Sequence, residues 1–255
     1  MNETKPTADY GLVSIIMPNY NCAQYLPETI KSVIDQTYQN WELLFVDDCS
    51  TDDSVKIVES NNDPRIRVFK NEKNSGAAFS RNVAIREANG RWIAFLDSDD
   101  LWASEKLLEQ LDFMEDKQCA LSFTHFYFDK NDGKLIEFAP PKDIYTYEDI
   151  LKHNYMACPT VMYDTARIDK VEMPVKADKR EDFGCWLRIL RQGIKAYCLH
   201  NCLVTVKIHT GSVSYNKVKM VKWQWNVYRN VEKLPLIKCV YYMIHWAVKG
   251  FLKYR

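Results

Sequence analysis

Along the first hundred residues, short apolar runs alternate with stretches in which apolar side chains recur every three or four positions. Leu12-Val13-Ser14-Ile15-Ile16-Met17 is such a run, stopped by Pro18 and Asn19, and residues 23–36 follow with Leu26, Ile30, Val33 and Ile34 at helical spacing. The alternation repeats, predicting strands at 41–46, 66–69 and 92–96 and helices at 51–59 and 76–88. Four strands separated by helices imply a doubly wound, mostly parallel α/β sheet. Polar clusters stand where those strands end: Pro18-Asn19-Tyr20-Asn21, Asp47-Asp48, residues 71–76 and Asp97-Ser98-Asp99-Asp100. Ligands of open α/β sheets bind beyond the carboxyl ends of the strands, so these clusters mark one candidate site.

After a helix at 104–117 the pattern loosens into strands near 120–128 and 134–138 around the turn Asn131-Asp132-Gly133, a small antiparallel addition. Residues 139–180 hold four of the nine prolines and only one short helix, at 147–153, and so read as binding-site loops. A helix at 180–191, strands near 196–198 and 203–208, and helices near 218–232 and 236–252 complete the chain. Residues 1–11 carry no period and are expected to be a loose tail, with one domain over 12–232 and a separate C-terminal helix over 233–255.

Composition narrows the partners. With 47% hydrophobic residues the chain can bury a full core. Its 34 Lys plus Arg balance 34 Asp plus Glu, so no global field draws nucleic acid. The eight cysteines form no CxxC pair and no secretory leader precedes the first strand, so a reducing cytosolic compartment is expected. Cys198 and Cys202, with His200 or His209, have ligand chemistry, but the segment reads as strand, turn and strand, and a zinc centre is not expected there. Lys238 and Lys249 interrupt the most apolar C-terminal stretch, which falls short of the ~20 residues a bilayer span needs.

Phe95-Leu96-Asp97-Ser98-Asp99-Asp100 ends a buried strand in three carboxylates within four positions. Like charges this close cost free energy unless a cation neutralises them. A hard divalent ion that shares its shell with a diphosphate meets that need; the plainer reading is a solvated turn capping the next helix. Asp47-Asp48-Cys49-Ser50-Thr51-Asp52 also follows a buried strand, and Ser50 or Thr51 can cap the next helix. Asp48 there reads either as a group that hydrogen-bonds a nucleobase or as part of a plain turn.

Residues 13–21 (VSIIMPNYN), 46–52 (VDDCSTD) and 74–82 (NSGAAFSRN), with the acidic cluster after them and Arg180-Glu181-Asp182-Phe183-Gly184-Cys185-Trp186 later, resemble glycosyltransferase family 2. The resemblance is dense over 12–115 and resumes at 180–188. It implies a GT-A-like fold and inverting, Mn²⁺- or Mg²⁺-dependent transfer from a nucleoside-diphosphate sugar, UDP-linked by commonest usage. Residues 12–118 become the nucleotide-sugar half and 119–232 the acceptor half.

Carried over by position, Pro18, Tyr20 and Asn21 would line the nucleotide pocket with Ser98. Asp48 would bind the base and Arg81 would lie near the diphosphate. Asp97 would face the ribose, the donor sugar or the metal, Asp99 would be the principal metal ligand, and Asp100 would assist at the metal or cap a helix. Asp182 would be the catalytic base, with Glu181 orienting a neighbour or touching the acceptor. His209 would approach the diphosphate or metal. The local alternative for Glu181-Asp182 is complementarity to a helix dipole.

Two positions depart from the family pattern. Lys207 stands where Arg is frequent, which loses bidentate phosphate geometry. Cys49 stands where Gly is frequent, which implies that no tight, glycine-only backbone is required there.

Such relatives imply a polyprenyl-diphosphate-linked acceptor at the inner face of the cytoplasmic membrane, in O-antigen or capsule assembly. The aromatic and basic residues of 236–255 read either as an interfacial helix or as one packed on the domain. Two rival classes are a sugar-nucleotide nucleotidyltransferase, which wants a Gly-rich basic loop that Pro18-Asn19-Tyr20-Asn21 lacks, and a non-catalytic binding module, which has no need of Asp182.

Overall fold

A computed structural model describes residues 8–177, 179–209 and 217–252. Strands β1 (Val13–Asn19), β2 (Trp41–Asp47), β3 (Ile66–Lys70) and β4 (Trp92–Phe95) pair in parallel in the order β3-β2-β1-β4. Helices α1 (Leu26–Ile34), α2 (Ser54–Glu59) and α3 (Ala77–Glu87) connect them. Every residue of β1 and β2 is buried. Alternate side chains of these strands enter two cores, Ile16, Leu44 and Val46 on one face and Val13, Ile15, Met17, Leu43 and Phe45 on the other.

The remaining strands are β5 (Leu101–Trp102), β6 (Leu121–Asp129), β7 (Leu135–Phe138), β8 (Ile144–Tyr145), β9 (Met162–Asp164) and β10 (Ala196–Lys207). They extend the sheet to the order β3-β2-β1-β4-β9-β6-β10-β5, with β7 on β6 and β8 on β10. The fold is the expected α/β class, but the antiparallel share is larger than the small addition predicted. β4–β9, β9–β6, β6–β7, β10–β8 and β10–β5 are all antiparallel, while β6–β10 is parallel. Helices α4 (Lys106–Asp116), α5 (Tyr147–Lys152), α6 (Glu181–Leu190), α7 (Lys217–Asn226) and α8 (Leu236–Leu252) cover it, α7 running into a π-helical turn at Val227–Val231.

Three differences from the sequence pattern have physical causes. The predicted strand, turn and strand over 196–208 is one strand, β10, with irregular register between Leu199 and Val204, so the polar His200-Asn201 pair sits on a strand edge rather than in a turn. The three-residue β9 joins the two halves of the sheet. It is too short to show a period, and its buried Asp164 is held by the Arg91 guanidinium at 2.7 and 3.0 Å. Residues 8–11, expected in the loose tail, are docked: Tyr10 O accepts from Trp92 Nε1 at 2.8 Å, Tyr38 OH donates to Gly11 O at 2.7 Å, and Tyr10 OH binds Asp112. Residues 1–7 lie outside the described residues.

Candidate active site

The predicted residues from the strand ends converge at the carboxyl edge of β1, β2 and β4. Asn19 Nδ2 donates to Asp47 Oδ1 at 2.9 Å and to Ser50 Oγ at 3.0 Å, and Asp47 Oδ2 accepts from Ser50 N at 2.9 Å. Asn21 N donates to Ser50 Oγ at 2.9 Å, while its Oδ1 accepts from Thr51 N at 2.8 Å. The loops after β1 and β2 are thereby bound into one floor. Ser50 is spent in this network, and α2 begins only at Ser54 after Asp53, so neither Ser50 nor Thr51 caps it. Pro18 is buried in β1 opposite Val46, and beside this floor Tyr20 leaves 50% of its surface exposed.

Asp48 is buried, and both of its carboxylate oxygens accept hydrogen bonds from the loop before α3. Oδ1 takes Ser75 N and Asn71 Nδ2, each at 2.8 Å, and Oδ2 takes Gly76 N at 2.7 Å. Gly76 stands at φ +86°, a conformation that a side chain resists, and so presents its N–H to the carboxylate. In this arrangement Asp48 shapes the loop, and a base would have to share its remaining lone pairs.

Cys49 adopts φ +65°, the left-handed region. The backbone there is one that glycine favours but not one that only glycine can take: this chain places a cysteine in it, with Sγ 3.0 Å from Asn71 O.

Arg81 on α3 is the hinge of the site. Its guanidinium is buried and pairs with Glu181 Oε1 at 2.8 Å from Nη1 and with Asp97 through Nη2. Burial alone would lower its pKa, but the Asp97 and Glu181 carboxylates hold the guanidinium well above its ordinary value. Arg81, expected near the diphosphate, is thus engaged by two carboxylates of this chain. Glu181 is buried at the start of α6, and burial raises its carboxyl against the pull of Arg81. Asp182, next along, is half-buried, and its carboxylate meets no hydrogen-bond partner among the described residues.

Asp99 Oδ2 lies 2.7 Å from His209 Nε2. Burial and the Asp97 charge raise the Asp99 carboxyl, and His209 opposes them. The imidazole stacks on Tyr25, ring centroids 4.9 Å apart at 23°. Asp97 is turned toward Arg81, so the predicted ligands Asp97, Asp99 and His209 form two pairs. Among the described residues, the clusters whose donor atoms all converge within 4.8 Å lie elsewhere, around His125. Carboxylate oxygens and one imidazole nitrogen are nonetheless the donors a hard divalent ion accepts, and Asp99 and His209 present them together.

Asp100 neither caps a helix nor joins this pair. Leu101–Trp102 pairs with β10 as β5 before α4 begins at Lys106, and Asp100 Oδ1 accepts from Lys207 N at 2.9 Å. Burial and the neighbouring Asp99 and Asp97 charges push its carboxyl well up. Ser98 is buried, and its carbonyl accepts from Thr29 Oγ1 at 3.2 Å. The Lys207 ammonium is held by Glu28 of α1. Tyr25 and Glu28 belong to the site and were not predicted, because their contacts to His209 and Lys207 cross the whole chain and leave no local signal.

Residues 14–163 match the model of glycosyl transferase family 2, and the chain belongs to that family. TuaG of Bacillus subtilis (strain 168), a glycosyltransferase ascribed to teichuronic acid biosynthesis, is 41% identical over 95% of this chain and 97% of its own. The Escherichia coli UDP-Glc:alpha-D-GlcNAc-diphosphoundecaprenol beta-1,3-glucosyltransferase WfaP is 38% identical over 95% of each chain. In fold the chain is similar to S. aureus TarS 1–349 in complex with UDP-GlcNAc, with a TM-score of 0.70, 23% identity and cover of 86% of this chain and 66% of that one. It is also similar to the mannosyltransferase PcManGT from Pyrobaculum calidifontis in complex with GDP-Man and Mn²⁺, with a TM-score of 0.67, 16% identity and cover of 88% and 65%. The chain thus spans about two thirds of the length of those solved chains. It is a glycosyltransferase with the GT-A fold, and the nucleotidyltransferase and binding-module readings fall away.

Proposed function

We propose that this enzyme transfers a hexose from a UDP-linked donor, with inversion, to a hydroxyl of a polyprenyl-diphosphate-linked glycan during bacterial surface polysaccharide assembly. The observation that carries the mechanism is Asp182: a half-buried carboxylate without a hydrogen-bond partner among the described residues, one residue from Glu181, which is fixed to Arg81 and through it to Asp97. Asp182 takes the proton of the acceptor hydroxyl, whose oxygen bonds to the anomeric carbon as the bond to the diphosphate oxygen breaks. The donor lies over the floor formed by Tyr20, Asn21 and the Asp48 loop, with Asp97 facing the ribose or sugar. Asp99 and His209 would hold Mn²⁺ or Mg²⁺, which supplies charge stabilisation to the departing diphosphate. Glu181 and Arg81 keep α6, and with it Asp182, in register with the acidic turn.

The donor and acceptor classes rest on the substrates named for the WfaP relative. A lipid-linked acceptor also gives α8 a role. Leu236, Ile237, Val240, Tyr241, Ile244 and Val248 are all exposed, recurring at helical spacing on one stripe. No helix among the described residues is long and apolar enough to cross a membrane. The stripe, with Lys238 beside it, fits a helix lying on the inner face of the cytoplasmic membrane.

The test is a screen of UDP- and GDP-sugars with Mn²⁺ and an undecaprenyl-diphosphate-GlcNAc acceptor, reading released nucleotide and lipid-linked product. Turnover with a UDP-hexose is expected; turnover confined to GDP donors would overturn the donor assignment.

A further inference from the structure

Away from the active site, one buried imidazole is not held by hydrogen bonds. His125 of β6 is 6% exposed, and neither of its ring nitrogens meets a hydrogen-bond partner among the described residues. A histidine that serves only as core filling ordinarily donates to a carbonyl or carboxylate, because a buried polar atom left without a partner loses its hydration with nothing in return. Glu137 Oε1 of β7 stands 3.7 Å from Nδ1, beyond hydrogen-bonding range.

What surrounds the ring is a set of metal-binding side chains. Cys198 pairs with Phe123 of β6, His200 falls in the register irregularity that follows, and the donor atoms of His125, Cys198 and His200 all lie within 4.8 Å of one another. The two imidazoles are 4.9 Å apart between centroids. Each histidine also has a carboxylate behind it: Glu137 faces His125 Nδ1, and Asp143 Oδ1 lies 2.9 Å from His200 Nε2. Metal-bound histidines almost always present their second nitrogen to such a group, which fixes the tautomer and ring orientation.

We propose that His125, Cys198 and His200 form a binding site for a zinc-class divalent transition ion that ties β10 to β6. Two imidazoles and a thiolate select such an ion over Mg²⁺ or Mn²⁺, which take the carboxylate site around Asp99. The fourth position is left to solvent on the side of His200, whose side chain is 52% exposed and marks the entry path. Binding expels the Cys198 thiol proton to solvent and leaves the thiolate on the metal, with no change of oxidation state. The clamp anchors the strand whose far end donates Lys207 N to Asp100 and leads to His209, so it steadies the active site from outside it.

Cobalt is the probe, since Co²⁺ in such a site shows tetrahedral absorption and a thiolate charge-transfer band. The full-length chain is expected to bind one Co²⁺ with both features and to lose them to added Zn²⁺. His200→Ala, at an exposed position that tolerates truncation, should weaken binding at least about tenfold. Cys198→Ser should remove the charge-transfer band, while Cys202→Ser and Asp99→Ala should keep it. No thiolate band in the wild type, equal affinity in His200→Ala, or a band that follows Cys202 rather than Cys198 would overturn the proposal.

Discussion

Arg81 Nη1 lies 2.8 Å from Glu181 Oε1 in a buried ion pair that joins the start of α6 to a helix of the opposite half of the molecule. The same guanidinium reaches Asp97, so one positive charge serves two carboxylates. Removing it should be costly, because an uncompensated buried carboxylate remains. Arg81→Met is expected to lose about 3–5 kcal/mol of stability in urea unfolding. The double variant Arg81→Met/Glu181→Gln should recover a large part of that loss. A single variant within about 1 kcal/mol of wild type would show that the pair is solvated.

Cys49 gives a test of opposite sign. Holding a non-glycine residue at φ +65° costs roughly 1–2 kcal/mol, part of which the greater flexibility of an unfolded glycine offsets. Cys49→Gly is therefore expected to stabilise by up to about 1 kcal/mol, and the β-branched Cys49→Val to destabilise. Denaturation midpoints in the order Gly, Cys, Val check this; a Gly variant less stable than Val would contradict it.

Lys106 is fully buried at the start of α4, with Nζ 3.8 Å over the Trp102 ring and no hydrogen-bond partner among the described residues. Burial drives its pKa well below the ordinary value. The unfolded chain binds the proton more tightly than the folded one, so the lysine destabilises at neutral pH, and that cost fades as pH rises toward the unfolded value near about 10. Lys106→Met should be more stable at pH 7, by at least about 1 kcal/mol, with the advantage shrinking toward pH 9. An advantage independent of pH would mean that the ammonium stays charged in the fold.

The exposed stripe of α8 predicts membrane attachment. Ile237→Asp/Ile244→Asp should abolish sedimentation with anionic vesicles and lower transfer to a lipid-linked acceptor, while leaving turnover of a water-soluble acceptor analogue unchanged. Undiminished vesicle binding would assign the stripe to a protein contact.

How much of this could be read from the chain follows from the range of each interaction. The β1–β4 core and its strand-end polar clusters were legible because period and punctuation are local. The docking of Tyr10, the insertion of β9 and the continuity of β10 were not, since each depends on pairing with distant segments. Asp97, Asp99, Glu181 and Asp182 were placed by motif, but that Arg81 ties Asp97 to Glu181, and that Asp100 binds the backbone of β10 rather than capping α4, required the fold. The zinc-type pairing considered for Cys198 and Cys202 drew on His200 or His209; the fold sends His209 to Asp99 and brings His125 of β6 to Cys198 and His200.

The division of labour between Asp99 and Asp182 is the central claim, and one paired measurement tests it. UDP-sugar binding by calorimetry in Mn²⁺ and transfer rate are compared for wild type, Asp99→Ala and Asp182→Asn. Asp182→Asn should bind donor within about twofold of wild type while transfer falls by at least 10²-fold, and Asp99→Ala should lose both. Full transfer by Asp182→Asn, or equal loss of donor binding in the two variants, would contradict the account.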